Sequence, residues 1–326
     1  MSYLFEPHKD NWLTFPNPIN SHLIKLDYTV NLPTHFFSDL RFDADSLLQY
    51  RINAAISAAS VLGDNPVLCL SGGIDSQAMI QCWQEAGLKF DVAILVFNNN
   101  LNSHDTETAR IFCRKNNIDP VEININVIEY LTRDHYIQAE KYHCTSPHFS
   151  THYKMFDILR DMGYTGICCG GQAFAKDETT WGPCLSAAQL NYVEYARINQ
   201  YPVIGNFLGY DPNLCWSIAV ITPSHFNWQV SIRDSLDEAT QKRYLAKTEG
   251  YRKHGFDIIP QESKFTGFEK VKEYFSAQAD DDWTFEKRFR HPLERKFGSV
   301  QGGRLLLSDS QLEMLASLYS ANNISN

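Results

Sequence analysis

The stretch Leu70-Ser71-Gly72-Gly73-Ile74-Asp75-Ser76 decides how this chain is read. A short apolar run over 67–70 leads into it, and a helical pattern over 75–86 leads out, with Gly87 placed to end that helix. Two adjacent glycines let the backbone turn tightly and approach a ligand closely. Unsatisfied N–H groups and the dipole at a helix start favour phosphate oxygens. Ser71 and Ser76 add hydroxyl donors. A carboxylate inside a phosphate loop is unfavourable without a cation, so Asp75 implies Mg²⁺ beside the phosphates. The bland alternative is an ordinary glycine-rich turn, but sequence and strand–turn–helix context agree on the phosphate loop. Neither GxxxxGKS/T nor GxGxxG occurs, so the loop is not of the kinase or dinucleotide type.

Outward from the loop, apolar runs alternate with helical patterns. Strands are expected over 90–97, 121–126 and 164–169, and helices over 103–116, 127–140 and 150–162. Strands apolar on both faces, alternating with helices, predict an α/β fold: a doubly wound, mainly parallel Rossmann-like sheet. In a 3-2-1-4 strand order the turns after 70 and 169 face each other at the switch point, where ligands bind. The second turn begins Cys169-Gly170-Gly171 and runs on to Lys176-Asp177-Glu178. Gly170 and Gly171 then flank the nucleotide, Lys176 reaches a phosphate, and Asp177 or Glu178 joins Asp75 around the metal; a solvated turn is the alternative. Asn98 ends the second strand on the same edge, where ribose or adenine is one reading and a polar turn the other. Adenine is expected on the backbone of 68–70. Beyond Gly171 the strand signal fades, and 185–199, 211–222, 236–249 and 265–277 look helical. The expected organisation is an N-terminal extension with a helix (1–62), an ATP-binding domain (63–180) and a helical substrate or lid lobe (181–326).

Composition narrows the class. The 326 residues are 44% hydrophobic and 21% charged, enough for a sizeable core. Charges sum to 29 − 38 = −9, which disfavours a dedicated nucleic-acid binder. The longest wholly apolar run is 92–97, far short of a membrane span, and no signal peptide is visible. Eight dispersed cysteines without a CxxC pair suit reduced thiols in a cytoplasm rather than a zinc or iron–sulfur site.

The run SGGIDS resembles the PP-loop of the N-type ATP pyrophosphatases, a superfamily that includes asparagine synthetase, β-lactam synthetase, NAD synthetase, GMP synthetase and tRNA-thiolating enzymes. The likeness covers about 65–180. It implies binding of ATP and Mg²⁺, cleavage to AMP and pyrophosphate with adenylation of a substrate oxygen, and displacement of AMP by a nucleophile. The implied enzyme is closest to an asparagine-synthetase-like ligase acting on a small-molecule acceptor. With 70 residues before Ser71 and serine as second residue, no glutaminase domain is expected. Ammonia or an amine then comes from solution, the substrate or a separate chain.

Two other functions stay open. Sulfur-transferring relatives use cysteines near this region, which Cys144 with Cys168 or Cys169 can supply; the competing reading is buried small hydrophobes. A non-catalytic ATP or AMP sensor is the third. His148 and His152, four apart, read as packing or substrate contact rather than metal ligands, since no third ligand is evident. The run Lys287, Arg288, Arg290, Arg295, Lys296 reads mainly as a solvated face, although a second-lobe cation closing over ATP fits adenylation. Arg304 is a further anion candidate. Trp181, Tyr192, Tyr195, Trp216 and Trp228 line either a metabolite pocket or the core.

Overall fold

In the computed structural model five parallel strands form the central sheet: β1 (Pro66–Cys69), β2 (Asp91–Phe97), β3 (Val121–Ile125), β4 (Gly166–Cys169) and β5 (Val203–Ile204). Their order is β3-β2-β1-β4-β5. The structure describes residues 13–14, 27–30, 32–33, 35–171, 175–176, 181–182, 187–222, 236–262, 267–278, 284–297, 304–306 and 308–323. The doubly wound α/β reading is correct. Strand order reverses between β1 and β4, which opens the crevice there.

Alternation along the strands sorts side chains onto two covered faces. Leu68, Leu70, Ile94 and Cys168 pack on one face, with α1 (Ala44–Leu62), α2 (Ile74–Glu85), α3 (Ser103–Lys115) and α8 (Pro212–Ile221). Val67, Cys69, Ala93, Ile123 and Ile167 pack on the other. That face is covered by α4 (Val127–Arg133), α6 (Pro147–Asp161), α7 (Ala187–Asn199) and α10 (Glu269–Ser276). The helix expected over 127–140 divides at Asp134 into α4 and α5 (His135–Lys141). The first core joins Ala54 and Leu62 to Ile218, Tyr251 and Phe256, so it runs across the segment limits at 62/63 and 180/181.

Local signals hold at several helix ends. Asp43 caps α1 by accepting from the Ser46 N–H at 3.0 Å, which typically contributes about 1 kcal/mol. Gly87, at φ +64°, follows the end of α2 as expected. Asn102 holds the N-cap position of α3, with its own side chain turned to the β2 backbone. Ser146 caps α6, whose early start at Pro147 puts His148 and His152 on one face, ring centroids 5.0 Å apart.

The helical reading after 171 misses β5, two residues pairing only with β4. It also misses a three-stranded sheet in which Asp27–Val30 pairs with Leu13–Thr14 and with Arg304–Leu306. The remaining α-helices among the described residues are the single turn Phe36–Asp39, α9 (Leu236–Lys253), α11 (Phe285–Phe289), α12 (His291–Phe297) and α13 (Asp309–Asn323). Among the described residues no helix is long and apolar enough to cross a membrane.

Candidate active site

The loop between β1 and α2 is held by its own serines. Ser76 Oγ donates to the Gly73 carbonyl at 2.8 Å and accepts from the Ser71 N–H at 3.2 Å. The two hydroxyls lie 3.2 Å apart. These bonds close the turn and leave Gly73 to start α2 without a side-chain cap. The two glycines differ in kind. Gly72 has φ +83°, and a Cβ there would stand 2.2 Å from the Asp105 carbonyl oxygen. Gly73 has φ −72°, and its Cβ would meet only Ser71 Oγ, at 3.4 Å.

The turn after β4 lies directly against this loop. A Cβ on Gly170 would come within 2.7 Å of backbone atoms of Asp75 and Ser76. The juxtaposition expected from strand order is therefore present. A cavity of about 480 Å³ opens there, lined among others by Leu70, Ser71, Gly73, Asp75, Ser76, Gly170 and Gly171. Ile74 is instead buried in the core, and Gly72 packs on the start of α3. Asn98 is not brought into the cavity lining; its Oδ1 accepts from the Val127 N–H at 3.1 Å and so anchors α4. Lys176 is described only as backbone of a short strand, and Asp177 and Glu178 lie outside the described residues.

Asp75 has partners that the sequence reading missed. Lys247 Nζ lies 2.5 Å from Asp75 Oδ1, and the Tyr251 hydroxyl donates to the same oxygen. Both come from α9. The Lys247 and Asp75 side chains are only 13% and 19% exposed, so water screens the pair weakly. Burial, then the Asp75 charge, raises the Tyr251 phenol well above its ordinary value, which keeps it a donor. Tyr244, Lys247 and Tyr251 stand at i, i+3 and i+7, one helical face. That spacing was the available signal. Asp105 also lines the cavity, and Gln261 Nε2 donates to its Oδ1 at 2.8 Å.

The cavity is also lined by His148, Phe149, His152 and Tyr192, all aromatic, and by Met155. The Tyr192 hydroxyl and His152 Nδ1 share a hydrogen bond. Burial, aided by His148, pushes His152 well below its ordinary value, so it is held neutral. Tyr195 and Trp216 are core residues; Trp181 is described only as backbone, and Trp228 lies outside the described residues.

Strand register sorts the cysteines. Cys69 and Cys169 are direct partners on β1 and β4 and both line the cavity. Cys169 beside it, then burial, raises the Cys69 thiol well above its ordinary value. Cys168 faces the opposite core. Cys144 is buried, donates to the Ser146 carbonyl at 3.4 Å, and is pushed up to about 11 by burial. Among the described residues no group of three or more His, Cys, Asp or Glu is disposed to hold a metal. In the basic run, Arg290 pairs with Glu294 at 2.7 Å and Lys296 with Glu140 at 2.5 Å, away from the cavity. Arg304 is described only as backbone.

No protein-family model matches the chain, and no curated protein matches it in sequence. Among solved structures it is similar to the NMN synthetase of Francisella tularensis, at 13% identity over 86% of this chain and 94% of that one, with a TM-score of 0.38. It is also similar to the tRNA thiolase NcsA of Methanococcus maripaludis, solved with its 4Fe–4S cluster. There the identity is 11% over 90% of this chain and 85% of that one, with a TM-score of 0.38.

Proposed function

We propose that this chain is an ATP-dependent adenylating enzyme. A substrate oxygen attacks the α-phosphorus of ATP, the bond to the bridging oxygen breaks, and pyrophosphate leaves with the electron pair. In the asparagine-synthetase-like form of this reading, ammonia or an amine then displaces AMP and a C–N bond forms. The observation that carries it is the glycine turn at a helix start beside the switch point, with a carboxylate and an ammonium 2.5 Å apart at its mouth.

The residues fit this chemistry. Gly73 leaves the backbone open to a phosphate, because the space its Cβ would fill is bounded only by Ser71 Oγ at 3.4 Å. The Asp75 carboxylate, with Asp105 also lining the cavity, would hold Mg²⁺, which would neutralise phosphate charge. Asp177 and Glu178 remain in the reading as further carboxylates, and Lys176 as a phosphate contact. Lys247 supplies a fixed cation where charge develops on the leaving group. Tyr251 orients Asp75 by donating to it. The acceptor is a small molecule, in keeping with a cavity of about 480 Å³ and a net charge of −9. A reducing cytoplasm suits the free cysteines among the described residues.

The test is chromatography of nucleotide products after incubation with ATP, Mg²⁺ and a panel of small acceptors. AMP and pyrophosphate are the expected products. ADP as the main product overturns the reading, and tight ATP binding without cleavage across the panel favours a sensor.

Sulfur transfer is a second reading, favoured by Cys69 and Cys169 standing side by side on the cavity wall. Under it, Cys69→Ser and Cys169→Ser lose the thiolated product while AMP release continues. Under ligation both variants keep product formation.

A further inference from the structure

Gln77 follows the loop motif directly and is fully buried. Its Nε2 donates to the Gly72 carbonyl at 3.0 Å and to the Ile259 carbonyl at 2.9 Å. Its Oε1 accepts from the Ile259 N–H at 2.7 Å. One side chain therefore uses both amide hydrogens and its oxygen to join the phosphate loop to a segment 182 residues away. Gln81, one turn on, grips the same segment: its Nε2 donates to the Asp257 carbonyl and its Oε1 accepts from the Asp257 N–H, both at 2.8 Å. Gln81 makes no bond to the loop, which sets the two glutamines apart.

The segment 256–261 connects to the rest of the site at its end. The Gln261 N–H donates to the Tyr244 hydroxyl at 2.7 Å, on the α9 face that carries Lys247 and Tyr251. Gln261 Nε2 donates to Asp105, whose backbone abuts Gly72. The contacts close a ring: Gly72, Gln77, Ile259, Gln261, Asp105 and back to Gly72.

We propose that Gln77 is a positioning residue that ties the phosphate loop to the segment 256–261, and through it sets α9 so that Lys247 and Tyr251 reach Asp75. The proposal rests on the ATP reading for its consequence in catalysis but not for the coupling itself. A buried amide bonded at every position holds a single geometry, because each lost partner strands a polar group away from water. Occupancy of the loop is thereby felt along 256–261 through Gln77, whereas Gln81 holds only the Asp257 end of that segment and passes nothing to the loop.

The experiment compares wild type, Gln77→Leu and Gln81→Leu by amide hydrogen exchange on peptides covering 70–77 and 256–261, with and without Mg-ATP. Without nucleotide, Gln77→Leu is expected to speed exchange at least about tenfold in both peptides, and Gln81→Leu only in 256–261. With Mg-ATP, both peptides slow in wild type, but only 70–77 slows in Gln77→Leu. AMP release to water adds a kinetic readout: Gln77→Leu lowers kcat about tenfold with KM for ATP within about threefold, and Gln81→Leu changes neither. If Gln77→Leu speeds only 256–261, or Gln81→Leu speeds both peptides alike, the proposal is overturned. Should wild type bind no nucleotide, the ATP reading fails while the nucleotide-free comparison still decides the coupling. If Gln77→Leu does not fold, Gln77→Glu replaces it in the same comparison, since it keeps the shape and the acceptor but loses both donors. Exchange in 70–77 unchanged by that variant overturns the coupling equally.

Discussion

The sharpest test of the phosphate loop is Gly73→Ala, because the structure separates its effect on folding from its effect on a ligand. At φ −72° an alanine is unstrained, and its Cβ meets only Ser71 Oγ at an ordinary 3.4 Å. Gly73 is the N-cap of α2, where alanine costs on the order of 0.5–1 kcal/mol, offset by about 0.4–1 kcal/mol from reduced freedom of the unfolded chain. Net stability should stay within about 1 kcal/mol, a melting shift of a few degrees at most. Any phosphate approaching the start of α2 meets the new methyl instead of open backbone. Displacing it by a few tenths of an ångström forfeits short charged hydrogen bonds worth about 1.5–3 kcal/mol each. Affinity for Mg-ATP should therefore fall at least tenfold, about 1.4 kcal/mol. Titration calorimetry gives the affinity and a thermal melt gives the fold. Gly72→Ala is the contrasting case: at φ +83° with a carbonyl 2.2 Å from its Cβ, it should lose fold and ligand together. Wild-type affinity in a well-folded Gly73→Ala protein would remove the triphosphate from this loop.

The other expectations are shorter. Asp75→Asn and Lys247→Met should each lower AMP formation by about 10²–10³, the usual loss for one such electrostatic group; product analysis showing either variant within threefold of wild type would break the assigned roles. Cys144, pushed up to about 11 by burial, holds about a hundredfold less thiolate near pH 8 than an ordinary cysteine. Mass-mapped alkylation should leave it among the last cysteines modified, and rapid native-state labelling would contradict its burial. His254 is pushed down to about 3 by burial and shares a hydrogen bond with Ser217 Oγ, 2.9 Å from its Nε2, so the folded chain holds it neutral while the unfolded chain protonates near pH 6.5. Its folded value lies below its unfolded one, so its contribution is whole above about pH 6.5 and shrinks toward pH 3, by about 1.4 kcal/mol per pH unit. Urea midpoints should drop further between pH 7 and 5 in wild type than in His254→Gln, and equal drops would refute the linkage.

The loop was legible because the bonds that close its turn are local. Gly72, Ser71 and Ser76 make their turn within six residues, and strand and helix patterns flank them. Strand order was legible because runs apolar on both faces must be covered on both sides. The partners of Asp75 were not, because Lys247 and Tyr251 lie more than 170 positions downstream on a helix that reads as an ordinary polar one. Their i, i+3, i+7 spacing with Tyr244 marks a face but does not say what the face meets. Asn98 is a related case. An amide at a strand's end serves backbone groups as readily as a ligand, and here it serves Val127. The edge strand β5 escaped notice because two residues carry no period.

The pairing of Asp75 with Lys247 bears on how the cavity admits a polyanion. Asp75 and Asp105, both lining the cavity, would repel a triphosphate if nothing countered them. The α2 N-terminus supplies roughly half a positive charge and the Lys247 ammonium a whole one, both at Asp75. The mouth is thus close to neutral before nucleotide arrives, and the desolvation of Lys247 is already offset by its carboxylate partner. Under the proposed function, Mg²⁺ arriving with the phosphates would offer the Asp75 carboxylate a stronger cation and the Lys247 ammonium a stronger anion, so that exchanging partners would cost neither group a charge. That exchange needs α9 close enough to serve both. It is close because Tyr244 and Tyr251 bracket Lys247 on the same face, bonded to Gln261 and to Asp75. The placement of one lysine thus depends on the polar side chains either side of it, whereas Arg290 and Lys296 in the basic run beyond 287 have surface carboxylates of their own.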